Sequence, residues 1–166
     1  MNWYTESRQA VRRRFPNDWR LVLALLVATS PRATLKANVS LALKAYHQFK
    51  ATGTVDRRGF VRVHHSQILL ALKGEAFCGR KCLNFHKALL GDPDAVVIDR
   101  WMMRAMGQPK GSPTNQQYTL LENKIRALAS TLGVTATEVQ ARIWLQTRKG
   151  ARNESYATHL AQISMF

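Results

Sequence analysis

Nucleophilic and acid–base chemistry has few places to sit in this chain. It carries ten carboxylates in 166 residues, and Glu6, Glu75, Glu122, Glu138 and Glu154 all fall among polar neighbours, where solvent-facing or capping roles are expected. Asp99 differs. It follows the apolar run Ala95-Val96-Val97-Ile98 and precedes a helical pattern, so its carboxylate is expected at a helix N-terminus on a partly buried edge. Backbone N–H groups and the helix dipole favour the ionised form there; a plain N-cap Asp explains the same position. Lys81 is the second candidate. It falls on the first turn of a helix just after Gly79-Arg80, where its charge opposes the dipole and leaves the free amine more available as a nucleophile. The plain alternative is a phosphate-contacting or merely exposed Lys.

The two stand eighteen positions apart. A helix of about ten residues is roughly 15 Å long, and residues 91–98, if extended, return the chain by a similar distance. The carboxylate is therefore expected back beside the amine.

The elements that must position this pair read as helices. Apolar residues recur at helical spacing over Trp3 to Arg14, from Asn17 or Asp18 to Ala28, and over about Thr34 to Lys50. Residues 52–63 read as a connection. Helices follow near His65 to Leu72, over Lys81 to Leu90 with Gly91 as its stop, and from Asp99 to Met106. Thr114 caps a long helix to about Leu132, Thr135-x-x-Glu138 is a capping box for one through Trp144, and a short helix follows Asn153. Only Val61 to Val63 and Ala95 to Ile98 have strand character, and neither has a partner. One all-α domain spanning residues 1–166 is expected.

Charge narrows the partner. Twenty-five Lys+Arg against ten Asp+Glu leave a net charge of +15, the electrostatic footprint of a domain that sits on phosphate. Arg80, Arg100 and Arg104 lie closest to the candidate pair; Arg12-Arg13-Arg14 and the set Arg142, Arg148, Lys149, Arg152 widen the track or form solvated faces. Two cysteines, Cys78 and Cys82, are too few for a disulfide framework or a four-thiolate cluster and read as core residues. The five histidines show no metal-ligand spacing, and His64-His65 reads as a loop pair without a partner. The apolar run Leu21 to Ala28 is too short for a membrane span. After Arg12-Arg13-Arg14 it superficially resembles a secretory signal, but eight residues is short for its apolar region and the helical pattern continues beyond Thr29. A cytoplasmic, nucleoid-associated setting is expected, with no membrane partner.

Gly79-Arg80-Lys81, followed by Leu89-Leu90-Gly91-Asp92-Pro93-Asp94-Ala95-Val96-Val97-Ile98-Asp99, resembles the helix–hairpin–helix DNA glycosylases, which include endonuclease III and the 8-oxoguanine glycosylases. In that superfamily a hairpin ending in Gly-x-Lys leads, after a similar interval, to a Val-Asp pair opening a helix. Leu26-Val27-Ala28-Thr29-Ser30-Pro31 through Asn38 is similar to the family's early helix–loop–helix, whose loop enters the duplex. The likeness covers roughly residues 18–107. Three departures stand out. Leu72-Lys73-Gly74 is separated from Gly79 by four residues instead of one, iron–sulfur cysteines are lacking, and Trp101 stands where many members carry His.

The resemblance implies a compact glycosylase-like domain that acts as a monomer on duplex DNA bearing a damaged or modified base. Lys81 is then the Schiff-base nucleophile and Asp99 the carboxylate that assists glycosidic cleavage. Ser30, Pro31 and Arg32 enter the duplex, and Gly79, Arg80, Arg100 and Arg104 meet its backbone. Trp101, Gln140 and Trp144, with Phe85 as a further aromatic, are the candidate walls of the base pocket. No cofactor is implied beyond a monovalent cation at the hairpin. Two alternatives remain: a non-catalytic hairpin module that binds duplex, and an enzyme that processes phage-modified bases.

Overall fold

The computed structural model describes residues 2–148 and 154–163. Those residues form helices and no strand, as the periodicity predicts. Helix α1 (Trp3–Arg14) opens on Asn2, whose side chain accepts from the Thr5 N–H, and ends on three arginines that complement the dipole. It stops at Phe15 because the residue before a proline is disfavoured in helical conformation. Helix α2 (Trp19–Ala28) is buried from Val22 onward. Asp18 precedes it without capping it: the carboxylate instead accepts from the Tyr46 hydroxyl at 2.8 Å and pairs with Lys50 at 3.2 Å.

Helix α3 (Leu35–Thr52) is capped by Thr34. Helix α4 (Arg62–Lys73) starts earlier than expected and absorbs Val61 to Val63, so that stretch is a cap and first turn. His64 and His65 are likewise helical, not a loop pair: the buried His64 ring bonds the Pro31 carbonyl at 2.7 Å, and His65 bonds that of Phe60. Helix α5 (Arg80–Leu90) closes on Gly91, with φ of 108°. Four shorter and longer pieces complete the described chain: α6 (Arg100–Ala105), α7 (Asn115–Leu132), α8 (Ala136–Thr147) and α9 (Tyr156–Ile163). The full capping box falls on α7, between Thr114 and Gln117; at α8 Thr135 accepts from Glu138 N–H.

The helices bury two apolar clusters. The larger gathers α1, α2, α3, α4, α5 and α9 around Val11, Leu25, Val39 and Leu89; the smaller gathers α6, α7 and α8 around Met102, Leu121 and Ile125. Residues 95–98 run extended between them. Successive side chains of an extended chain point to opposite faces, and here Ala95 and Val97 enter the larger cluster while Val96 and Ile98 enter the smaller.

A lone extended segment needs partners for its peptide groups, and side chains supply them. The Tyr118 hydroxyl donates to Val96 O at 2.8 Å and accepts from Ile98 N–H at 3.1 Å. The Thr137 hydroxyl lies 2.8 and 2.9 Å from the carbonyls of Asp92 and Ala95. An ion-paired staple also joins the two clusters. Arg80 pairs with Glu122 at 2.7 Å, bonds Asn115 O and Thr119 Oγ1, and stacks 4.4 Å from the Tyr118 centroid. Glu122, expected to face solvent, is buried there and also pairs with Arg126 and accepts from Asn84.

Candidate active site

A cleft of about 940 Å³ opens where the two clusters meet, and both Lys81 and Asp99 line it. Lys81 is half-buried on the first turn of α5. Gly79 sets the direction of that turn with φ 82° and ψ 142°, a combination that side-chain-bearing residues rarely adopt. Among the described residues the Lys81 ammonium makes no hydrogen bond or ion pair.

Asp99 is held at every oxygen. Oδ1 accepts from the N–H groups of Trp101 and Met102, both at 2.9 Å, which makes it the N-cap of α6. Oδ2 accepts the indole N–H of Trp144 at 2.9 Å. The expected cap is therefore present, and a second, tertiary bond points the carboxylate's other oxygen.

Two buried phenols back this arrangement. Burial first, and then the Asp99 charge, push the Tyr4 hydroxyl well above its ordinary range, so it stays neutral; it donates to Gln140 Oε1 at 2.6 Å. Burial likewise raises Tyr156, which accepts from Asn38 Nδ2, while Asn38 Oδ1 accepts from Thr29. These residues line or support the cleft. Sequence reasoning passed over Tyr4, Asn38, Tyr118 and Tyr156, because an aromatic or amide at helical spacing looks like ordinary core. The one available signal was Tyr4 beside Trp3 in α1, two amphipathic aromatics that need polar partners when buried.

The other candidates divide by what already holds them. Ser30, Pro31 and Arg32 form the rim between α2 and α3, and Arg32 adopts a left-handed φ of 58° that favours glycine. Gly79 is exposed and also lines the cleft. Arg100 and Arg104 are exposed, with guanidinium carbons 5.4 and 4.8 Å from the Trp101 ring centroid; Arg100 lines the cleft. Arg80 reaches the cleft, yet its guanidinium is engaged by α7, so its first duty is the staple and not an open phosphate contact. Trp101 and Trp144 are half-buried on the wall and Gln140 is fully buried behind it. Phe85 both lines the cleft and packs with Trp3 and Tyr4 in the larger core.

Arg148, expected only to widen a basic track, lies inside the cleft; Arg142 pairs with Glu138 along α8. Lys149 and Arg152 fall outside the described residues.

Among the described residues no group of three His, Cys, Asp or Glu could hold a metal ion. Cys82 is buried, with its thiol pushed up by that burial, whereas Cys78 is exposed and not the core residue expected. The hairpin between α4 and α5 is clasped by Gln67, whose amide donates to Cys78 O at 2.9 Å and accepts from Cys78 N–H at 3.2 Å. An amide side chain thus organises the turn where the resemblance implies a monovalent cation. No helix of the described residues is long and apolar enough to cross a membrane.

Fold and cleft define an all-helical protein whose two cores present an unpaired lysine and a capped aspartate to a common space. The chain belongs to DUF7178, a family of unknown function whose profile it matches over residues 1–151. No curated protein and no solved structure matches it.

Proposed function

We propose that the protein is a DNA glycosylase with associated AP-lyase activity, built on a helix–hairpin–helix glycosylase domain. The observation that carries this reading is the opening of Lys81 and Asp99 onto one cleft from segments eighteen residues apart. The net charge of +15 supports a duplex partner. The α4–α5 turn, closing on Gly79 at the start of α5, supplies N–H groups suited to phosphate.

A base inside duplex DNA is out of reach, so the nucleotide is extruded into the cleft at a cost of a few kcal/mol. Ser30-Pro31-Arg32 on the rim occupies the vacated stack. The free Lys81 amine attacks C1′; the glycosidic bond breaks and the base leaves with the electron pair, picking up a proton. The Asp99 carboxylate, held by its cap and by Trp144, steadies the positive charge that develops on the sugar. Loss of the amine's proton and ring opening leave an imine between Lys81 and C1′. Removal of a C2′ proton then expels the 3′ phosphate by β-elimination, and water releases the enzyme.

The test is borohydride trapping on duplexes carrying uracil, oxidised purines, oxidised pyrimidines or alkylated bases. The wild type is expected to cross-link to at least one, and Lys81→Gln to none. Cross-linking that persists in the variant overturns the role of Lys81.

One observation favours a second reading, a non-catalytic duplex-binding module. Every Asp99 oxygen is already in a structural bond, as a pure cap would be. Salt-dependent duplex binding by a wild type that cleaves none of these substrates would select the module.

A further inference from the structure

The least expected side chain in the cleft is Arg148. It follows the last turn of α8 and its side chain is only 18 % exposed. Its guanidinium carbon lies 4.4 Å from the Trp144 ring centroid and 6.0 Å from that of Trp101. Glu154 pairs with it from the other side at 3.6 Å, and Glu154 is itself fixed by His159 at 2.9 Å. A flat cation therefore covers the Trp144 indole, which bonds the carboxylate of Asp99. It reaches the margin of Trp101, whose ring Arg104 and Arg100 approach more closely at 4.8 and 5.4 Å.

A guanidinium is planar and delocalised, and it stacks on aromatic faces much as a heteroaromatic ring does. An indole face left bare is costly in water, and a tethered arginine covers that of Trp144 cheaply. We propose that Arg148 is a placeholder: the cleft wall that Trp144 forms beside Trp101 is a stacking platform for a planar heteroaromatic ring, which enters by exchanging with the Arg148 guanidinium. That the ring is an extruded nucleobase rests on the glycosylase reading above; the platform itself does not.

The exchange has a direction that can be measured without DNA. Quenching of intrinsic tryptophan fluorescence is titrated with free adenine, a neutral ring for which the lost positive charge is irrelevant. Half-saturation in Arg148→Ala is expected at about tenfold lower concentration than in the wild type, the size of one stacked cation removed from competition. Glu154→Gln, which only loosens the tether, shifts it the same way by about two- to threefold, and carries the test should the first variant fold poorly. Trp144→Leu combined with Arg148→Ala is expected to erase the gain.

Equal titrations in wild type and both variants overturn the placeholder, and so does a gain that survives loss of Trp144. Borohydride trapping separates the two ideas. A free-adenine gain with no Lys81-dependent trapping keeps the platform and removes the glycosylase; trapping without any gain keeps the glycosylase and removes the platform.

Discussion

Trp144 donates its indole N–H to Asp99 Oδ2 at 2.9 Å, across forty-five residues of sequence. That bond ties the smaller cluster's α8 to the N-cap of α6, and it fixes the carboxylate oxygen that capping leaves over. Hydrogen bonds to charged groups contribute about 1.5–3 kcal/mol. On the glycosylase reading, Trp144→Phe keeps the ring packing against Trp3 and loses this bond. Single-turnover trapping is expected to slow by at least about tenfold, and an unchanged rate would make the bond purely architectural.

Asp99 serves as cap and, in the proposed chemistry, as charge stabiliser; two substitutions separate the roles. Asparagine caps a helix about as well as aspartate. Asp99→Asn is therefore expected to keep the cap, but its amide NH2 replaces the oxygen that accepts from Trp144, so it loses about 1.5–3 kcal/mol of stability with that bond, retains duplex binding and loses cleavage. Asp99→Ala should in addition lower stability by about 1 kcal/mol in urea titration.

The Arg80–Glu122 pair bridges the two apolar clusters, with Glu122 nearly buried and Arg80 one-third exposed. Removing one member of a buried pair strands the other's charge, at about 3–5 kcal/mol when burial is complete. Partial solvation and the remaining Arg126 contact at 3.6 Å reduce that here. Arg80→Ala is expected to cost about 2 kcal/mol in denaturant unfolding, and a change within error would show that the clusters hold together without the staple.

Gly79 tests backbone strain in isolation. A Cβ added there would meet nothing within 4 Å, yet φ of 82° with ψ of 142° is glycine territory. Gly79→Ala is expected to lose about 1–3 kcal/mol of stability through strain alone. On the proposed chemistry it also slows trapping, because Lys81 shifts with the turn.

Four phenols govern the alkaline limb. Tyr4, Tyr46, Tyr118 and Tyr156 all have raised ionisation, burial being the largest cause in each and the Asp18 carboxylate adding to it at Tyr46. A raised folded-state value means their stabilisation is complete below about pH 10, the ordinary phenol value, and is lost as pH rises beyond it. Stability should stay flat toward pH 9.5 and then fall, by up to about 1.4 kcal/mol per pH unit for each phenol kept neutral. On the acid side, burial lowers His86, so its contribution is present above about pH 6.5 and disappears as pH falls further. His86→Gln is expected to flatten only that acid limb in pH-dependent thermal melts.

Local signals sufficed wherever the governing interaction spans a few residues. Asp99, Thr114 and Thr135 cap the helices that follow them, and Gly91 ends α5, because a cap or a left-handed stop is decided within one turn of chain. The buried character of Ala95 to Ile98 was legible too, as a short run with no polar residue. What lay beyond reach was every bond whose partner is far away. Asp18 leaves its own helix for Tyr46 and Lys50; Glu122 is buried because Arg80 and Arg126 meet it; Tyr118 gives a lone extended segment the hydrogen bonds a sheet would supply; and Arg148 turns into the cleft over the Trp144 indole. The opening of Lys81 and Asp99 on one space belongs to this second kind. Spacing allowed the two segments to reach one cleft, where Lys81 and Asp99 form no ion pair; the direction of each side chain depends on how the two apolar clusters pack, and packing is a property of surfaces that meet only once the chain has folded.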